Sequence, residues 1–79
     1  MEKATAFVLI RAEPGHEHEV YYSLAKRERF KELHSVMGEY SIVAKVVGDD
    51  LNQIGYIVRE EIQKTGNVDG YSLLLLIPM

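Results

Sequence analysis

The chain has 79 residues, enough for one small domain and too few for a second. It contains no cysteine, which excludes disulfides and thiolate metal sites, and its 47% hydrophobic and 27% charged residues exclude an intrinsically disordered tail. A net charge of −3 argues against direct contact with nucleic acid. No apolar run reaches the ~18 residues needed to span a bilayer, and Met1-Glu2-Lys3-Ala4-Thr5 does not open like a secretory signal. A cytoplasmic domain without a membrane segment is therefore expected. A core this small is marginal by itself, and oligomerisation is a common remedy.

Residues 4–10 are β-branched and aromatic and run into the turn signal Glu13-Pro14-Gly15, so they read as a strand. A helix follows, with Glu17 and Glu19 at its positive end, Val20 and Leu24 four apart on one face, and Lys26 and Arg27 at its C-terminal end. Residues 30–37 are ambiguous. Phe30, Leu33 and Met37 have helical spacing, while Leu33 and Met37 also share one face of a strand. Gly38-Glu39-Tyr40-Ser41 then reads as a tight connection, and residues 42–47 as a strand ended by Gly48-Asp49-Asp50.

A second helix opens at Asp50, an N-cap with Gln53 three residues on in the manner of a capping box. Leu51, Ile54, Ile57 or Val58, and Ile62 form its apolar stripe, and Gly66 suits the position after its end. Gly55 inside it costs about 1 kcal/mol relative to alanine, which close packing of a neighbour would explain. Residues 71–77 make a last strand, stopped by Pro78.

The order strand, helix, strand, strand, helix, strand is the α+β, ferredoxin-like βαββαβ arrangement: a four-stranded antiparallel sheet with two helices on one face. The other face of such a sheet is normally polar, yet the strands here do not alternate. Alternate residues of Phe7 to Ile10, Ile42 to Val47 and Leu73 to Ile77 must point away from the helices. Exposed, they make an apolar patch of several hundred Å². The expectation is a homo-oligomer with sheets packed face to face; the alternative is partial cover by Tyr71 and Met79.

Few side chains suggest chemistry. His16 and His18, two apart on a helix, diverge by ~200° and do not form a metal pair. His34 has no partner at triad spacing, Asp49-Asp50 and Glu60-Glu61 read as capping and helix dressing, and Lys26-Arg27-Glu28-Arg29 is a mixed solvated run. No glycine pattern matches a nucleotide loop. No catalytic residue, metal or cofactor is expected. The loop Gly38, Glu39, Tyr40 and Ser41 combines backbone donors, a carboxylate, an aromatic and a hydroxyl, which suits a small zwitterion as well as an ordinary hairpin turn.

Residues 6–10 followed by Glu13-Pro14-Gly15 and Glu19-Val20 resemble the opening of the effector domain, or RAM domain, of Lrp/AsnC transcription regulators. Phe30-Lys31-Glu32-Leu33, then Val36 to Val46, resemble that family's second and third strands around its G-x-Y-[D/S] loop. Asp49-Asp50-Leu51, Ile62 and Gly66-Asn67-Val68 complete the likeness over essentially the whole chain. It favours a strand for the ambiguous stretch. Because the sequence opens at the first strand of that domain, residues 1–79 are expected to form a single stand-alone RAM domain without the helix-turn-helix domain.

The resemblance implies dimers of the α+β barrel type joined through their sheets, assembled into octamer or decamer rings. It also implies an amino-acid effector held by the loop that is here Gly38, Glu39, Tyr40 and Ser41. Full-length Lrp/AsnC regulators are the implied partners, and transcription regulation or amino-acid metabolism the implied role. Ser41 stands where many members carry Asp, and Tyr71 and Leu73 stand where the last strand often has Thr-x-Thr. Other readings are an assembly module without ligand, a small dimeric α+β barrel enzyme using His34 or Tyr40, and the topologically similar ACT domain.

Overall fold

A computed structural model describes residues 4–75. Its elements are β1 (Ala4–Ala12), α1 (Glu17–Ala25), β2 (Phe30–Ser35), β3 (Ile42–Gly48), α2 (Leu51–Thr65) and β4 (Val68–Leu75). They form one antiparallel sheet in the order β2-β3-β1-β4, the βαββαβ arrangement expected from the sequence. The ambiguous stretch is a strand over its first six residues, and the last strand starts at Val68, before Tyr71. Ile77, Pro78 and Met79 lie outside the described residues.

Strand parity decides what is buried. Ala6, Val8 and Ile10 of β1 sit opposite Val46, Ala44 and Ile42 of β3, and all six are buried beneath the helices. Val20 and Leu24 of α1, with Ile54, Val58 and Ile62 of α2, close the core from above. Val58 rather than Ile57 carries the helical stripe, and Leu51, the first residue of α2, stays 45% exposed.

The ends of the elements follow local chemistry. Pro14 and Gly15 occupy the centre of a turn closed by His16 N–H donating to Glu13 O at 2.9 Å, with Gly15 at φ +87° as a type II turn requires. Helix α1 ends at Ala25, before the basic pair; Arg27 instead reaches Glu61 of α2 at 3.2 Å. Asp50 caps α2 by accepting from Gln53 N–H at 2.8 Å, and Gln53 Oε1 accepts in return from Asp49 N–H. At Gly55, by contrast, a Cβ would meet nothing within 4 Å, so close packing does not explain it. The tight approach is at Gly48, where a Cβ would lie 2.9 Å from Ile54 Cγ1.

Thr5, Phe7, Leu9 and Arg11 of β1, with Val43, Lys45 and Val47 of β3, form the face away from the helices. Leu74, opposite Phe7, adds to it and is 49% exposed. Tyr71 does not cover this face: it is opposite Ile10, on the helix side, and borders α2. At the β2 end the face turns polar, with Glu32 bridging His34 and Lys45 at 3.3 and 3.4 Å.

Candidate functional site

The chain leaves the sheet after Ser35 and re-enters at Ile42. Val36 N–H donates to Ser41 O at 2.9 Å, closing the loop, and Gly38 turns the chain at φ +140°, a conformation side chains rarely adopt. Ser41 ties the loop to β1. Its N–H donates to Ile10 O at 2.8 Å, and its hydroxyl accepts from Ala12 N–H at 3.3 Å. Pairing between β1 and β4 slips between Arg11 and Ala12, and the hydroxyl captures an amide at that irregularity.

The loop and the first turns of α1 enclose a cleft of about 510 Å³. Gly38, Tyr40 and Ser41 line it from the loop, beside Val36 and Met37; Glu17, His18 and Tyr21 line it from α1. The Tyr21 hydroxyl donates to Leu33 O at 3.3 Å, fixing that wall against β2. A carboxylate, an imidazole, two phenols and a hydroxyl thus line the cleft beside the buried Ile42 and the partly exposed Val36, with the fully exposed Met37 at its rim. Convergent polar groups beside apolar ones suit a small molecule with a charged head and an apolar tail.

Of the four loop residues singled out from sequence, Gly38, Tyr40 and Ser41 meet in this cleft and Glu39 does not line it. The Glu39 carboxylate lies instead 3.6 Å from Arg11 Nη1, while Arg11 Nε lies 3.3 Å from Asp69. The same guanidinium sits 5.6 Å from the centroid of the Tyr40 ring. Sequence reasoning missed Arg11 and Asp69, as well as Glu17, His18 and Tyr21. A lone cation inside an apolar strand was the one available signal for Arg11; Asp69 gave none.

The histidines have local partners: His16 pairs with Glu19 at 3.3 Å, and His18 stacks on Tyr22 with ring centroids 6.4 Å apart. His34 lies on the open sheet face beside Glu32 and is not part of the cleft lining. Its imidazole, and then the Lys45 ammonium, hold the Glu32 carboxyl below the ordinary glutamate range. Among the described residues, no three His, Cys, Asp or Glu side chains are grouped to hold a metal ion, and no helix is long and apolar enough to cross a membrane.

A family model described as the Lrp/AsnC ligand binding domain matches residues 5–77. The chain belongs to this Lrp/AsnC family. An uncharacterised HTH-type transcriptional regulator of Pyrococcus furiosus is 37% identical over 67 residues, covering 81% of this chain and 45% of the regulator. The chain thus spans about half the length of that curated relative.

Among solved structures, FFRP-DM1 superposes with a TM-score of 0.87 at 32% identity, covering 95% of this chain and 100% of that one. A protein of Thermus thermophilus gives 0.88 at 28%, covering 98% and 96%. AsnC of E. coli gives 0.87 at 17%, covering 96% of this chain and 52% of AsnC, a likeness of fold alone. Lrp/AsnC membership makes this a regulatory domain, of a family of transcription-regulator ligand-binding domains rather than of enzymes.

Proposed function

We propose that this Lrp/AsnC domain is an amino-acid-sensing module that self-associates through its sheets and acts on partner proteins. The observation that carries the reading is the cleft in which Gly38, Tyr40 and Ser41 face Glu17 and Tyr21 beside Val36 and Ile42. Glu17, whose Oε1 also accepts from Gly15 N–H at 3.1 Å, offers a partner for an ammonium group, the Tyr40 and Ser41 hydroxyls offer donors for a carboxylate, and Val36 and Ile42 offer contact to a side chain. The open sheet face supports the association. Phe7, Leu9, Val43 and Leu74 share one apolar surface, and its burial offsets the marginal core of a small chain. Full-length Lrp/AsnC regulators, whose domains share the sheet, are the proposed partners, with octameric or decameric rings as the proposed assembly.

Thermal unfolding with each of the twenty amino acids at millimolar concentration tests the sensing role. A ligand at ~100 times its Kd adds about 2.7 kcal/mol, a shift of several degrees for a domain of this size. A response limited to one amino acid or a related group, and lost in Tyr40→Ala with assembly intact, supports the reading; silence across the panel removes amino acids as effectors. Light scattering at micromolar concentration tests the association, and a monomer overturns it.

A second reading, assembly without a ligand, is favoured by one specific observation. The Ser41 hydroxyl is engaged by Ala12 N–H and the Glu39 carboxylate by Arg11, which leaves the loop fewer free polar groups than its sequence suggests.

A further inference from the structure

The charge lining the cleft is of one sign. Glu17 is its carboxylate, and among the described residues neither a lysine nor an arginine lines it. Glu17 Oε1 accepts from Gly15 N–H at 3.1 Å, but no ion pair among the described residues includes this side chain. The nearby Arg11 guanidinium does not compensate. It packs against the Tyr40 ring and is already matched by two carboxylates, Glu39 at 3.6 Å and Asp69 at 3.3 Å. Ser41 contributes a hydroxyl and no charge. The cleft therefore presents an unpaired carboxylate together with two phenol rings, Tyr21 and Tyr40. Both kinds of group attract cations, the carboxylate through its charge and the rings through their electron-rich faces.

A zwitterion in this cleft gains an ion pair for its ammonium, while its carboxylate meets neutral hydroxyls close to a fixed negative charge. A second positive charge on the ligand reverses that imbalance. We infer that the cleft selects effectors of net positive charge, basic amino acids ahead of neutral and acidic ones, and that Glu17 sets the selection. The inference rests on the sensing role proposed above and names the class of molecule that role takes. Lysine and arginine combine the two parts the lining asks for. Their aliphatic stems suit Val36 and Ile42, and their charged heads suit the carboxylate and the phenol rings.

Matched ligands separate charge from shape. Lysine and norleucine differ at the terminal ammonium, and arginine and citrulline differ as guanidinium and urea. Thermal unfolding of the full-length protein is titrated with each, at an ionic strength held constant with potassium chloride. Lysine or arginine is expected to bind at least roughly tenfold more tightly than its neutral counterpart, with the gap narrowing as salt rises. Glu17→Gln changes an exposed side chain and keeps an acceptor for Gly15 N–H, so the fold is retained. It should bring the two members of each pair to within about twofold of one another.

Three results overturn the selection and leave amino-acid sensing standing: neutral counterparts that bind as tightly as the charged ligands, a neutral or acidic amino acid giving the largest response of the twenty, or an undiminished gap in Glu17→Gln. Silence from all twenty removes the sensing role instead. Cadaverine and agmatine, which are lysine and arginine without the carboxylate, then decide the selection separately. A response to either upholds it, and silence from both overturns it as well.

Discussion

The guanidinium of Arg11 lies over the ring of Tyr40, 5.6 Å from its centroid, joining the middle of the sheet to the loop that borders the cleft. The space it occupies exists because β4 has a glycine alongside: a Cβ on Gly70 would come within 3.0 Å of Arg11 Nη2. Arg11→Ala is expected to move the Tyr40 ring resonances toward solvent-exposed values in NMR spectra, and Gly70→Ala to move them part of the way. Stability should fall by less than about 1 kcal/mol, because the ion pairs of Arg11 with Glu39 and Asp69 are solvent-exposed. Unmoved Tyr40 resonances in Arg11→Ala would show that the ring is held by other contacts.

Backbone conformation makes Gly38 costly to replace. At φ +140° any side chain is strained even though space is open around it, so Gly38→Ala should lose about 1–3 kcal/mol in urea unfolding. Gly48→Ala should also destabilise, for a different reason: collision with Ile54 Cγ1 at 2.9 Å. An unchanged urea midpoint for Gly38→Ala would mean the loop relaxes freely around the substitution.

Leu24 and Leu51 separate core from surface. Leu24 is fully buried between α1 and the sheet, and Leu24→Ala should cost roughly 2–5 kcal/mol. Leu51 is 45% exposed, and Leu51→Ala should stay within about 0.5 kcal/mol of the parent under conditions where the chain is dissociated. Comparable losses at both positions would place Leu51 in a buried contact.

Glu32 gives the fold an acid-side dependence. Its carboxyl is held below the ordinary glutamate value of 4.5, chiefly by the His34 imidazole and then by Lys45. The folded state therefore binds this proton less readily than the unfolded chain. The stabilisation is complete above the ordinary value and is lost as pH falls through the lowered one. Thermal unfolding followed across the acid range should show a shallower decline for Glu32→Gln than for the parent. Identical profiles would remove Glu32 from the acid response.

Most of the fold was legible because local and global signals agreed. The Asp50–Gln53 cap, the turn at Pro14-Gly15 and the parity of β1 and β3 each follow from a few neighbouring residues. The site was less legible. Gly38, Tyr40 and Ser41 are contiguous and stand out, but the opposite wall comes from α1, and a cleft between elements distant in sequence has no linear signature. Glu39 was misplaced for a related reason: its direction is set by Arg11, which lies far from it in the chain and pairs with it only after the sheet forms. Gly55 misled in the opposite sense, since a helical glycine suggests crowding and here marks open space.

Ser41 has a consequence for how this loop is interrogated. Its amide and its hydroxyl both bond to β1, at Ile10 and Ala12, so its side chain is a seam of the sheet as well as a wall of the cleft. Under the proposed sensing role, substitutions at Ser41 would mix weakened recognition with loosened architecture, whereas those at Tyr40 would separate the two effects. An aspartate at position 41 would accept the Ala12 amide with a full negative charge and fasten the seam more firmly. Residue 41 thus tunes rigidity along with whatever it presents to a visiting molecule.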